Sequence, residues 1–292
     1  LINVRGVTLS LHPLFVLVML TSVLTGHFIE IMTLFTLVFI HELGHATAAS
    51  LLGARVLSIQ MLPFGGVAVI EDQGKLNAWK EIVIALAGPL QNGIMIIILL
   101  WFRNVSGAEH DYVNYIIQGN AVIALFNLLP ILPLDGGKIL QALISLSLSY
   151  HRTLVWTFRA SIVTSLLFCM YGISPLLRQN GPVHLNLLAV GIFLLYSNIV
   201  DYRNIPYRFI RFLLGRDELF YREAAKGSIA LPIVSLPVKH LEPVLRLFRR
   251  DRYHMVYVMN EQGRILAVLP EQRLIRSYFA ARPPDGEEPK LK

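Results

Sequence analysis

Three ionisable residues interrupt an apolar run early in this chain: His41, Glu42 and His45, within His41-Glu42-Leu43-Gly44-His45. On a helix, residues four apart share a face, so both imidazoles can reach one metal ion. The glutamate beside the first is placed to act as general base on a water held there. On a solvated helix the same pattern would cost nothing and mean little. Its apolar setting argues otherwise, because a charged group at the centre of a bilayer costs about 2.5 kcal/mol or more and needs a partner. A zinc ion is such a partner. Catalytic zinc takes three protein ligands and keeps a position open for water, so a third ligand must come from elsewhere. The single cysteine, Cys169, lies in another apolar run and supports neither a disulfide nor a thiolate cluster, which leaves histidine and carboxylate ligands. Asp135, in Asn127-Leu-Leu-Pro130-Ile-Leu-Pro133-Leu134-Asp135-Gly136-Gly137, is the best-placed carboxylate. Proline, aspartate and glycine together are equally the signature of a plain turn, and the residues alone leave these two readings balanced. The remaining histidines, His12, His27, His110, His151, His184, His240 and His254, show no ligand spacing and read mostly as interface or surface residues.

The elements that must position these groups are membrane spans. Of 292 residues, 54% are hydrophobic and only 15% charged, which excludes an ordinary soluble domain. Six apolar stretches stand out, at about 11–24, 31–52, 82–101, 112–129, 154–171 and 183–200, most of them near the length a bilayer demands. The first is the shortest, and with no cleavable leader pattern before it, it is expected to remain as a span. Lys and Arg are in excess in alternate loops, at Arg5, then Arg55, Lys75 and Lys80, then Arg152, then a series after the last stretch, while the loops between hold only Arg103, offset by Glu109 and Asp111, and Arg178. Cytoplasmic loops carry such an excess, so both termini are expected in the cytoplasm. Counting about 1.5 Å per residue inward from Ile31 puts His41 and His45 in the inner half of the membrane, on the side where Asp135 ends the fourth stretch.

The net charge of +7 raises the question of nucleic acid, but much of it is Arg203, Arg208, Arg211, Arg216 and Arg222. These follow the last apolar stretch and read as membrane-surface charge, with no nucleic-acid partner. Residues 57–69 are too broken by Pro63, Gly65 and Gly66 for a helix and too apolar for a free loop. They read as a membrane-associated hairpin, with a plain connector between spans as the alternative. The expected fold is therefore a membrane all-α protein of six transmembrane helices with a β-hairpin, followed by a small cytoplasmic α/β domain. Residues 1–200 form the membrane domain, 201–226 a basic linker and 227–281 a compact β-α-β-β-α unit, while 282–292 are proline-rich and expected to be disordered.

H-E-x-x-H in one apolar stretch, joined by N-x-x-P-x-x-x-x-D-G in a later one, resembles the site-2-type intramembrane zinc metalloproteases, peptidase family M50, over about residues 11–137. Leu62-Pro-Phe-Gly-Gly66, Ala87-Gly-Pro-Leu-Gln91 and the segment 127–138 are similar to the sporulation branch of that family. The resemblance implies that His41, His45 and Asp135 bind Zn2+ and that Glu42 activates water. It also implies that Pro63, Phe64, Gly65 and Gly66 receive the backbone of an extended substrate added as a strand, and that Asn127 holds either that backbone or the site itself. Relatives commonly carry proline where Leu132 stands, although the spacing from Asn127 to Asp135 is kept. The implied substrate is a membrane-associated protein, in this branch pro-sigma-K, cleaved at the mother-cell membrane around the forespore, with membrane inhibitor proteins as further partners.

The tail resembles a single CBS module, and because such modules pair, one copy implies a homo-oligomer. Ala267, Pro270 and Arg273 stand where such modules show their ribose-binding Thr and Asp, so nucleotide binding of the usual kind is not expected; the domain reads instead as one that binds substrate or senses nucleotide by other contacts, with a stabilising module as the alternative. A membrane metal transporter and an inactive scaffold are the competing functions. No internal repeat of the kind that marks transporters is visible, and a complete His/Glu/His/Asp set argues against a scaffold.

Overall fold

The computed structural model describes residues 2–4, 7–11, 13–62, 65–70, 76–106, 111–177, 182–227, 229–237 and 240–280, and the expected disordered tail lies outside them. The chain is mostly helical and divides into two compact units, Leu1–Ala142 and Leu143–Lys292.

The first unit begins with strands β1 (Ile2–Val4) and β2 (Val7–Leu11), followed by helices α1 (Pro13–Leu24) and α2 (Phe28–Leu51). Proline suits the first position of α1, where its missing N–H has no partner to lose. Gly53, at φ 80°, ends α2 in the left-handed conformation that glycine adopts freely. The chain then forms β3 (Val56–Leu62) and β4 (Gly65–Ile70), and afterwards α3 (Ala78–Ser106), α4 (Asp111–Asn127) and the start of α5 (Asp135–Ser147).

The expected hairpin is β3–β4, antiparallel with Met61 opposite Gly66 and Leu62 opposite Gly65; its turn residues Pro63 and Phe64 lie outside the described residues. It belongs to a larger sheet than the hairpin pattern predicts. β2 runs parallel to β3 after a crossover through α1 and α2, β1 pairs antiparallel with β2, and the strand order is β1-β2-β3-β4. One edge of β4 is thus left without a strand among the described residues.

The second unit contains α6 (Tyr150–Leu177), α7 (Leu185–Arg203), α8 (Ile205–Leu214) and α9 (Arg216–Lys226). It continues with β5 (Leu231–Ser235), α10 (Glu242–Leu245), β6 (His254–Met259), β7 (Ile265–Pro270) and α11 (Glu271–Ala280). Among the described residues, each of the six expected apolar stretches is mostly helical, and four helices, Phe28–Leu51, Ala78–Val105, Tyr150–Leu176 and Leu185–Arg203, are long and apolar enough to cross a membrane. α1 and α4 are shorter, and the 17 residues of α4 rise only about 26 Å against a hydrocarbon core of about 30 Å. Ile97, 67% exposed, and Trp101, 66% exposed, turn bare apolar surface outward from α3, as a lipid-facing helix does.

The tail has the expected β-α-β-β-α order, with β5 parallel and β7 antiparallel to β6. Its core joins Ile233, Val244, Leu245, Phe248, Val256, Leu274 and Ile275 to Phe209 and Leu213 of α8. The stretch expected as a basic linker is therefore helical, and α8 lends its apolar side to the tail. Arg216 departs furthest from the sequence reading. Far from lying at a membrane surface, it is 2% exposed and ion-paired with Glu271 at 2.6 Å.

Candidate metal centre

Helix geometry makes the first half of the site. His41 and His45 occupy one buried face of α2, their rings edge to face with centroids 4.8 Å apart, and Glu42 is buried beside them. The second half comes from the α4–α5 connection. Its backbone turns through Ile131 N–H to Leu129 O and Leu134 N–H to Ile131 O, with a cis Leu132–Pro133 bond, and α5 opens at Asp135. A methyl on Gly136 or Gly137 would strike the backbone of residues 128–132, so two bare glycines let this segment fold over the first turn of α5. Asp135 is thereby delivered to the histidines: its Oδ2 lies 3.1 Å from His41 Nε2 and 3.0 Å from His45 Nε2, and the two Nε2 atoms are 3.1 Å apart.

The outward-facing atoms of all three residues are held. His45 Nδ1–H donates to the Ile84 carbonyl at 2.7 Å, which leaves Nε2 with its lone pair toward the centre. His41 Nδ1 is 2.6 Å from Asn92 Oδ1, and Asn92 Nδ2 donates to Asn120 Oδ1 at 2.9 Å. Lys138 Nζ donates to the second oxygen of Asp135 at 3.0 Å and balances its charge. Two further glycines admit backbone close to the site. A methyl on Gly88 of α3 would collide with His45 Nε2 and His41 Cε1, and one on Gly66 of β4 would collide with the Glu42 side chain.

Of the residues singled out from sequence, His41, His45 and Asp135 converge, Glu42 lies between them and β4, and Gly66 touches Glu42. Asn127 closes α4 with its amide donating to the Ile123 carbonyl of its own helix. Asn92, Asn120, Lys138 and Gly88 were missed. The available signal was a polar asparagine inside an apolar stretch, where an unmet hydrogen bond is costly.

Ligand atoms of His41, His45 and Asp135 all lie within 4.8 Å of one another, the one such metal-competent grouping among the described residues. A tetrahedral zinc with bonds of about 2.0–2.2 Å holds its ligand atoms about 3.3–3.6 Å apart. The observed separations of 3.0 to 3.1 Å are close to that, and three protein donors leave a fourth position for water. The residues fit zinc. A zinc-competent triad with an adjacent buried glutamate, its two histidines carried on a helix of membrane-spanning length, defines a membrane metalloprotease.

Similarity to known proteins makes the class specific. The model for peptidase family M50 matches residues 29–109 and 106–170. Stage IV sporulation protein FB of Bacillus subtilis is 30% identical over 273 residues, covering 93% of this chain and 91% of that protein. A zinc metalloprotease of Methanocaldococcus jannaschii is 28% identical over 280 residues, covering 92% of this chain and 77% of that protein. The solved structure of the site-2 protease from Methanocaldococcus jannaschii superposes with a TM-score of 0.53 at 27% identity, covering 69% of this chain and 94% of that one. This chain belongs to peptidase family M50 and is a site-2-type zinc metalloendopeptidase.

Proposed function

We propose that this protease cuts a membrane-associated protein, in the manner of a pro-sigma-K processing enzyme, with His41, His45 and Asp135 holding zinc and Glu42 as general base. The observation that carries the reading is the meeting of the three ligand atoms beside Glu42 and the backbone of β4. When bound, zinc polarises the scissile carbonyl and brings the pKa of the attacking water toward about 7. Glu42 takes the proton from that water and passes it to the leaving amine. Lys138 and Asn92 keep Asp135 and His41 aimed at the centre.

A helical substrate hides its carbonyls in its own hydrogen bonds and must be unwound before it is cut. The edge of β4 that carries no strand among the described residues offers the unwound segment a partner. An added strand there runs past Gly66, directly against Glu42. The sequence resemblance supports Pro63, Phe64, Gly65 and Asn127 as further contacts to the substrate backbone. The sporulation name of the Bacillus subtilis relative supports pro-sigma-K as substrate and the mother-cell membrane as location. The charge pattern supports six spans with both termini in the cytoplasm. The tail is then a cytoplasmic CBS-like module through which two chains associate.

Glu42→Gln tests the catalytic reading. With pro-sigma-K as substrate in matched detergent, the variant is expected to retain zinc and lose cleavage; equal cleavage by both forms, or absence of zinc from the wild type, would overturn the site. A metal transporter predicts no proteolysis from either form.

A further inference from the structure

The two zinc-facing histidines solve one problem in different ways. Each needs its proton on Nδ1 so that Nε2 presents a lone pair to the metal. For His45 the matter is decided directly, because its Nδ1 faces the Ile84 backbone carbonyl, which can only accept. For His41 the neighbour is a side-chain amide, Asn92. An amide has an accepting end and a donating end, and turned the other way it would donate to Nδ1 and drive the proton to Nε2, where it would compete with zinc.

What decides the orientation of Asn92 lies one helix further out. Asn120 of α4 donates from Nδ2 to the Ile116 backbone carbonyl at 2.9 Å, and that carbonyl cannot donate in return. The Oδ1 of Asn120 therefore faces inward, where it accepts from Asn92 Nδ2 at 2.9 Å. Asn92 is left with Oδ1 toward His41 Nδ1, at 2.6 Å. Both asparagines are 0% exposed, so water cannot substitute for either partner. We propose that Asn120 is a positioning residue of the metal site: acting through Asn92, it carries the one-way polarity of the Ile116 carbonyl to His41 and sets the tautomer that binds zinc. The inference rests on His41 being a ligand. It assigns a role in metal affinity to a residue that touches neither metal nor substrate.

The test is a double-mutant cycle on zinc affinity, measured by chelator competition on the purified full chain. Asn120→Leu frees Asn92 to turn and should weaken zinc binding by about 10–100-fold, the usual cost of losing an outer-shell partner. In an Asn92→Asp background the same substitution should leave affinity unchanged or raise it, because a carboxylate accepts from Nδ1 whichever way it turns and no longer needs the Asn120 acceptor. A residue that merely packs would cost the same in both backgrounds, and that result, or no loss in the first, overturns the proposal. Running the cycle with Asn120→Ala covers the case in which leucine does not fold. His41→Ala keeps the two readings apart: zinc bound as in the wild type would sink the metal site itself, whereas zinc lost there but kept in Asn120→Leu would sink only the relay.

Discussion

Two buried clusters in this molecule are made of the same ingredients, histidine and carboxylate, and behave differently. In the first unit, His41, His45 and Asp135 turn ligand atoms toward a common point, and their outer atoms are tied to Asn92, Ile84 and Lys138. In the second, His254 and Glu271 meet in the same way, but the Arg216 guanidinium fills the convergence point. It donates to both Glu271 oxygens, at 3.0 and 2.6 Å, and to the carbonyls of Arg249, Arg250 and Arg252. The Arg249 N–H donates to His254 Nε2 at 3.2 Å, so the histidine is neutral and its Nδ1–H points to Glu271. Burial, together with the neighbouring Arg216 charge, holds the His254 pKa below its ordinary value despite Glu271. The chain supplies its own cation to one cluster and leaves the other to be filled by a metal. A buried histidine–carboxylate pair is thus evidence for a metal only where no guanidinium closes it.

The comparison is broken most severely by removing each cation. Stripping zinc with a chelator should abolish cleavage and readdition restore it, while thermal unfolding of the tail stays unchanged; a tail that melts with the metal would mean the two clusters are not independent. Arg216→Ala should destabilise the second unit by about 3–5 kcal/mol in denaturant titration, because it strands a buried carboxylate, and should leave zinc content untouched. The paired change Arg216→Met with Glu271→Leu should recover most of that loss.

Gly66→Ala sharpens the first cluster alone. The added methyl would displace Glu42 and lower cleavage by up to about 100-fold with zinc retained. The smallest effect is with pH. The lowered pKa of His254 means that the unfolded chain binds its proton first, so the stability this residue contributes is complete above about pH 6.5 and declines as pH falls through that value toward the folded pKa. The slope should not exceed about 1.4 kcal/mol per pH unit. His254→Gln should flatten it, which unfolding measured from pH 7.5 downward will check.

What could be read from sequence was whatever one element carries by itself. His41, Glu42 and His45 share a helix, so their spacing states their geometry, and Asp135 was visible as a carboxylate at the end of an apolar stretch. The partners that orient them come from α3 and α4, and nothing in the spacing of Asn92 and Asn120 says that they meet. Arg216 was misread because it stands in a basic series, while Glu271 lies 55 residues further on. α5 was missed because Asp135-Gly136-Gly137 reads as a turn, although the glycines serve to clear backbone at the start of a helix. Of the two N-terminal strands, β2 does alternate, as Val7-Thr8-Leu9-Ser10-Leu11, but the pattern runs straight into the first apolar stretch, and its partner β3 lies some 50 residues further on.

The packing of Phe209, Leu213 and Arg216 into the tail has a consequence for genetics. A stop codon near residue 227 would look like a clean deletion of a regulatory module. It would instead leave α8 and α9 behind with two large apolar side chains bared and a guanidinium stripped of its carboxylate and carbonyls. Cellular quality control reads such a surface as damage. Loss of processing in a tail-truncated strain would then reflect degradation of the protease, and it becomes informative about regulation only when the amount of full-length and truncated protein in the membrane is matched.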